Sequence, residues 1–115
     1  MDWSAKELTH QTFREEIDSS PYPVFVDFWA AWCPPCRMMD PVIEELAEEF
    51  EGKILVRKLN TDLYRTVADK LNINGIPTYV VFRNGEEIWR NVGALSKKKL
   101  IQVFSNIHEN GGGDG

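Results

Sequence analysis

The chain has 115 residues, enough for one domain that buries roughly two-thirds of its unfolded surface without help from a metal or a disulfide. Its 18 acidic and 13 basic residues give a formal net charge of -5 and form no basic stripe, which argues against a nucleic-acid partner. No apolar run approaches the ~20 residues of a membrane span, and residues 1–7 lack the apolar segment of a signal peptide.

The first half of the chain predicts a short strand, a helix, a central strand and a long amphipathic helix. Apolar residues recur at helical spacing after Thr9, whose hydroxyl is suited to capping a helix. The next apolar run is β-branched and aromatic except for one acid, which is typical of a strand buried on both faces. The predicted bounds are about 6–8, 9–18, 24–29 and 34–50.

The second half predicts a strand, a short helix, a hairpin and a final helix. Asn84-Gly85 lies between two strand-like runs and indicates a tight hairpin turn. Ser96 is a suitable N-cap for the last helix. The predicted bounds are about 54–59, 63–71, 78–82 and 87–92, with the last helix following residue 96.

This order of elements predicts an α/β fold. A strand, a helix and a second strand imply a right-handed crossover and parallel pairing, whereas the hairpin pairs its strands antiparallel. We therefore expect a mixed β-sheet with helices on both faces, in a single domain over residues 1–110. Residues 111–115 are glycine-rich and are expected to form a flexible tail.

Cys33 and Cys36 are the 2 cysteines of the chain, and they lie where the central strand gives way to the long helix. The unpaired N–H groups and positive charge of a helix N-terminus stabilise a thiolate, so Cys33 is the candidate nucleophile. A disulfide between such close residues adds little stability and exchanges readily. The pair is therefore better suited to carrying electrons than to stabilising the fold.

Two other roles for the cysteines are weighed against this one. A purely structural disulfide is disfavoured because so short a loop stabilises weakly. A zinc site would have to draw on His10 and His108, which lie near opposite ends of the chain and lack the spacing of paired zinc ligands. No metal site is predicted.

Asp27 is the one acid within the central strand. A buried carboxylate is costly unless it is protonated or paired, so its pKa is expected to be raised. Such an acid could take the proton from Cys36 when that thiol attacks, and return it in the reverse reaction. The alternatives are an acid that caps a loop, or one paired structurally with Lys58, which on its own would be interpreted as a solvated lysine.

The order of elements, with Cys-x-x-Cys between the central strand and the long helix, resembles the thioredoxin family. The resemblance extends from about Phe13 to Phe104 and rests on landmarks in a fixed order. They are Asp27-Phe28-Trp29-Ala30, Trp32-Cys33, Pro35-Cys36, Pro41, Lys58-Leu59-Asn60, Gly75-Ile76-Pro77-Thr78, Asn84-Gly85 and Val92-Gly93-Ala94-Leu95-Ser96.

The resemblance implies a thioredoxin fold and a thiol-disulfide oxidoreductase, with Cys33 as nucleophile and Cys36 as resolving thiol. It also implies that Lys58 tunes Asp27, and that the Ile76–Pro77 bond is cis and leaves the Ile76 backbone free to pair with an extended substrate. The residues expected to bind the client protein are Trp32, Pro34, Pro35, Ile76, Gly93 and Ala94.

The same resemblance implies the partners. They are disulfide-containing client proteins and a thioredoxin reductase or an equivalent electron donor. No bound cofactor is expected, because the electrons stay on sulfur. A monomer acting in the cytoplasm is the expected form.

One departure from the family pattern keeps alternatives open. The family usually has Gly-Pro between its cysteines, whereas this chain has Pro34-Pro35. A Pro-Pro pair is similar to that of membrane-tethered, extracytoplasmic relatives, so a reductant or isomerase with few clients outside the cytoplasm is a second hypothesis. A third is a binding module that uses the thioredoxin fold within a larger assembly.

Overall fold

The protein is described by a computed structural model, which covers residues 1–112. Every predicted helix and strand is present, and most bounds lie within two residues of those expected from the sequence. The elements are β1 (Lys6–Glu7), α1 (His10–Ser19), β2 (Val24–Trp29), α2 (Pro34–Glu49), β3 (Leu55–Asn60), α3 (Arg65–Lys70), β4 (Thr78–Arg83), β5 (Glu86–Val92) and α4 (Lys97–Gly112).

The last helix ends later than expected. α4 runs to Gly112, so the first two residues of the predicted tail are helical. The rest of that tail, residues 113–115, lies outside the described residues, and its flexibility stays a prediction. Within residues 1–112, no helix combines the length and apolar character needed to span a bilayer.

The strands form one 5-stranded mixed sheet in the order β1-β3-β2-β4-β5. β2 pairs parallel with β3, and β4 pairs antiparallel with β5, which confirms both predicted pairings. Asn84 and Gly85 have φ values of 53° and 82°, the left-handed conformation that a two-residue hairpin turn requires. Because β2 and β3 are parallel, the loops that follow them emerge at the same edge of the sheet.

The sheet is covered on both faces, which confirms the predicted layers. On one face, β-strand residues pack with α2 and α4, and on the other they pack with α1 and α3. The buried helix residues of the first core are Ile43, Leu46, Ala47, Leu100 and Phe104, and those of the second are Phe13, Ile17 and Val67.

One line of directly paired residues crosses the whole sheet and is polar throughout. Glu7 on β1 pairs with Lys58 on β3, and Lys58 pairs with Asp27 on β2. Asp27 pairs with Tyr79 on β4, and Tyr79 pairs with Asn91 on β5. Directly paired residues point to the same face of a sheet. We call these five residues the polar row.

Arg57 is a buried cation that the sequence analysis did not anticipate. It is 2% exposed and lies on the face of β3 that is covered by α1. Its Nε donates to Glu16 Oε1 at 2.6 Å, and its two terminal nitrogens donate to the carbonyl oxygens of Ser4 and Asp2 at 2.8 and 2.7 Å. The guanidinium therefore ties the N-terminal segment to the sheet and to α1.

Replacing Arg57 by leucine is expected to lower the free energy of unfolding by about 3 kcal/mol, because the buried side of Glu16 and two carbonyl groups lose their donor. Arg14→Leu is the matched control, since it removes the exposed i,i+4 pair with Asp18 and should cost less than about 0.5 kcal/mol. Urea unfolding of both variants measures the difference. Equal losses would contradict a structural role for Arg57.

Candidate active site

The Cys-x-x-Cys motif forms the junction between β2 and α2. Cys33 is the N-cap of α2, and its Sγ accepts the backbone N–H of Cys36 at 3.3 Å. Pro34 and Pro35 occupy the first positions of the helix, where a missing N–H costs little because it would have no intrahelical acceptor. The sulfur of Cys33 therefore lies at the positive end of α2, with the Cys36 N–H as its backbone donor.

The two cysteines are joined by a disulfide, and their Cα atoms are 5.3 Å apart, within the range usual for disulfides. Both are nearly buried, with exposed fractions of 3% for Cys33 and 1% for Cys36. The difference in exposure between the two sulfurs is therefore small. What distinguishes Cys33 is that it lines a surface groove, where its Sγ lies 3.8 Å from the carbonyl oxygen of Ile76.

This groove has a volume of about 400 Å³ and lies between the motif, α3 and the loop before β4. Trp32, Pro34, Pro35 and Ile76, all predicted to bind the client, are among its lining residues. Within residues 1–112, the lining does not include Gly93 or Ala94. The Gly93 N–H instead donates to the Pro77 carbonyl at 2.7 Å, so the segment after β5 is held beside Pro77. The Ile76–Pro77 bond is cis, as the resemblance implies.

Asp62 is a groove residue that the sequence analysis missed. Trp32 is 67% exposed, and its indole Nε1 donates to Asp62 Oδ2 at 2.8 Å. The Asp62 N–H in turn donates to the Asn60 side chain at 2.9 Å. Asp62 follows β3 and Trp32 follows β2, so the parallel pairing of these strands brings the two loops together. The predicted parallel pairing of the two strands was the sequence signal that could have placed Asp62 beside Trp32.

Asp27 lies deep between the sheet and α2. Phe25, two residues earlier on the same face of β2, packs with Ile43 and Leu46 of α2, so Asp27 points toward the N-terminal half of that helix. It is 1% exposed, and neither carboxyl oxygen has a hydrogen-bond partner among the described residues. Burial raises the pKa of Asp27 to about 7, against the opposing effect of the Lys58 charge.

Lys58 is held by carboxylates other than Asp27. Within the described chain, the carboxylates within 4.0 Å of its Nζ are those of Asp40 on α2, at 2.7 Å, and Glu7, at 3.7 Å. Burial alone would lower the pKa of Lys58, but the hydrogen bond to Asp40 and the surrounding negative charges raise it. The alternative of a direct structural pair between Asp27 and Lys58 is therefore wrong: the two side chains make no hydrogen bond or ion pair, and the Lys58 charge only opposes the rise in the pKa of Asp27.

Tyr79 is the other neighbour of Asp27 in the polar row. Its side chain is fully buried, and its hydroxyl has no hydrogen-bond partner among residues 1–112. Burial raises the pKa of Tyr79, and the negative charge of Asp27 raises it further. The phenol is therefore protonated at neutral pH, so in the polar row Asp27 is flanked by a lysine and a neutral tyrosine.

Comparison with known proteins identifies the chain. The family model described as Thioredoxin matches residues 4–106. Thioredoxin 1 from Nostoc sp. is 46% identical over 101 residues, which cover 88% of this chain and 94% of that protein. Thioredoxin from Pyropia yezoensis is 44% identical over 89% of this chain and 95% of its own length, and that from Rickettsia bellii is 43% identical over 89% and 97%. With a disulfide at the Cys-x-x-Cys motif and an α/β thioredoxin fold around it, this chain belongs to the thioredoxin family and is a thiol-disulfide oxidoreductase.

Proposed function

We propose that Cys33 and Cys36 divide the reduction of a client disulfide between them. The Cys33 thiolate attacks one client sulfur, which forms a mixed disulfide and releases the other client sulfur as a thiolate. The Cys36 thiolate then attacks Cys33 Sγ, which closes the Cys33–Cys36 disulfide and releases the second client sulfur. Two electrons pass to the client in this sequence. The placement of Cys33 in the groove, with Cys36 behind it, carries the assignment.

Asp27 is the proposed proton acceptor for the second step. The Cys36 thiol must lose its proton before it attacks, and Asp27 is a buried carboxyl group facing the start of the same helix. Its pKa of about 7 makes it a base that is partly ionised at neutral pH, and its free oxygens are available for a proton. In the reverse direction the same carboxyl group returns the proton to Cys36.

The groove is the proposed binding site for the client backbone. The carbonyl oxygen of Ile76 lies beside Cys33 and offers an acceptor to an extended segment. Trp32, Pro34 and Pro35 are exposed beside it and provide an apolar surface. The roles of Gly93 and Ala94 are proposed on the resemblance and on the contact that joins Gly93 to Pro77.

Replacing Trp32 by alanine is expected to raise KM for a protein client by about tenfold and to leave the reduction potential unchanged, because an exposed aromatic anchor is lost while both sulfurs stay in place. Leu63→Ala is the control: it also removes an exposed apolar side chain, but one that lines a different groove. Steady-state kinetics with insulin as the client give both values. A change in kcat alone would argue against a binding role for Trp32.

The overall proposal is tested by redox equilibrium with glutathione, with insulin reduction as the activity assay. A general reductant of proteins is expected to have a couple that is reducing relative to glutathione and to reduce insulin with dithiothreitol as electron donor. A couple that glutathione keeps largely reduced would indicate a disulfide donor and would contradict the proposal.

A thioredoxin reductase as electron donor, the cytoplasm as compartment and a monomeric state belong to the same proposal. Similarity to proteins named thioredoxin supports the reductase. Pro34 is the observation that favours the extracytoplasmic alternative, in which the protein serves few clients. Failure of a thioredoxin reductase to reduce the disulfide, together with poor activity on insulin, would favour that alternative. Sedimentation and cell fractionation test the monomer and the compartment.

A further inference from the structure

Lys58 has two carboxylate partners at the end of its side chain, and neither of them is Asp27. The ammonium lies 2.7 Å from Asp40 Oδ1 and 3.7 Å from Glu7 Oε2. It also lies over the indole ring of Trp29, 4.7 Å from the ring centroid. Lys58 is paired with Asp27 in the sheet, yet neither Asp27 carboxyl oxygen accepts a hydrogen bond from its ammonium.

A direct contact with Lys58 would ionise Asp27. An opposite charge within about 4 to 6 Å lowers the pKa of a carboxyl group by roughly one to three units. Here three carboxyl groups act on the charge of one cation, although two of them contact it, so ionising all three would leave uncompensated negative charge near the core. The side chains of Asp40 and Glu7 are 40% and 49% exposed and remain in contact with water. Of the three acids, Asp27 is the one that is not accessible to water, and it is therefore the one that becomes protonated.

We propose that Asp40, assisted by Glu7, is a positioning residue that holds the Lys58 ammonium away from Asp27 and so keeps that acid able to bind and release a proton. Asp40 lies in the second turn of α2, four residues after Cys36. The helix that carries the resolving thiol therefore also carries the group that controls the acid. This inference rests on the proposed role of Asp27 and extends it.

Every element around Asp27 contributes a group to this arrangement. Two are carboxylates, one is an ammonium group, and the Cys36 sulfur, in its disulfide, and the phenol are neutral. They are Glu7 from β1, Lys58 from β3, Tyr79 from β4, and Cys36 and Asp40 from α2. Asp40 is the charged group with the shortest contact to Lys58, so its removal has the largest expected effect.

The test is a pH titration of the Asp27 carboxyl carbon by NMR in the oxidised full-length chain. In Asp40→Asn the Asp27 pKa is expected to fall from about 7 by roughly one unit, since Lys58 loses its nearest partner. Glu44→Gln is the matched control: it removes one negative charge from an exposed position one turn further along α2 and should leave the Asp27 pKa unchanged. An unchanged pKa in Asp40→Asn, or an equal fall in the control, would overturn the inference.

A double-mutant cycle separates positioning from simple charge repulsion. If Asp40 acts by holding Lys58, Asp40→Asn should lower the Asp27 pKa by less than half as much in a Lys58→Met background. An equal fall in both backgrounds would mean that Asp40 acts on Asp27 directly, and the positioning role would be wrong. The titration involves no turnover, so its outcome is independent of whether Asp27 transfers a proton during catalysis.

Discussion

Replacing Cys33 by serine is expected to abolish disulfide reduction, with a loss on the order of 10³-fold or more, because a serine hydroxyl is not ionised at neutral pH and cannot form a mixed disulfide. Cys36→Ser should behave differently. Cys33 keeps its place in the groove and still attacks, but no second thiol resolves the product, so a covalent complex with the client accumulates. Insulin reduction and mass spectrometry of the trapped complex measure the two outcomes.

The two single variants control for each other, since each removes one sulfur from the same helix. If Cys33→Ser trapped clients and Cys36→Ser did not, the assigned roles would be reversed. The double serine variant also tests the binding-module alternative, because such a module would keep its biological role without either thiol.

Asp27→Asn is expected to change how stability depends on pH. The pKa of Asp27 is about 7 in the folded protein, against an ordinary value of 3.8. Below about pH 4 both the folded and the unfolded state are protonated. Between the two values only the unfolded state has lost its proton, so the free energy of unfolding falls as pH rises, and above about pH 7 the difference is constant. The variant lacks this dependence and should gain roughly 3 to 4 kcal/mol relative to the native protein between pH 4 and 8.

Urea unfolding of both proteins across this pH range provides the measurement, and the Glu44→Gln variant shows what loss of an exposed carboxylate does. Stability curves for Asp27→Asn and the native protein that stay parallel from pH 4 to 8 would show that Asp27 is ionised throughout.

The same substitution is expected to slow the resolving step by about 10²-fold, because Cys36 loses its proton acceptor. The attack by Cys33 should keep its rate, so the mixed disulfide would accumulate transiently in Asp27→Asn. Stopped-flow kinetics with a chromogenic disulfide separate the two steps. If only the first step slowed, Asp27 would have no role in activating Cys36.

The fold could be predicted almost completely because its signals are local. Asn84-Gly85 specified the hairpin through backbone conformation alone, and Asp27 was identified because an acid within a strongly apolar strand must be buried. The position of Cys33 at a helix start was equally local. Local patterns could not predict how deeply Cys33 is buried, because the loops that cover it come from other parts of the chain.

The hydrogen-bond and ion-pair partners of Lys58 and Trp32 could not be predicted from the sequence either, because they depend on how distant segments pack together. Trp32 and Asp62 are 30 residues apart, and Asp40 looked like one more acid on a helix rich in them. Glu7 belongs to a strand of 2 residues, too short for its register to be predicted. Arg57 would be interpreted as solvated until α1 is placed over it.

The shortness of β1 has a consequence for the chemistry. An edge strand of 2 residues has few backbone bonds to the sheet and is the kind of segment that frays on its own. Arg57 fastens the residues just before it, and Glu7 at its end reaches Lys58. Local opening at this edge would release Glu7 from Lys58. As the temperature rises, we therefore expect amide hydrogen exchange in β1 and the pKa of Asp27 to change over the same range.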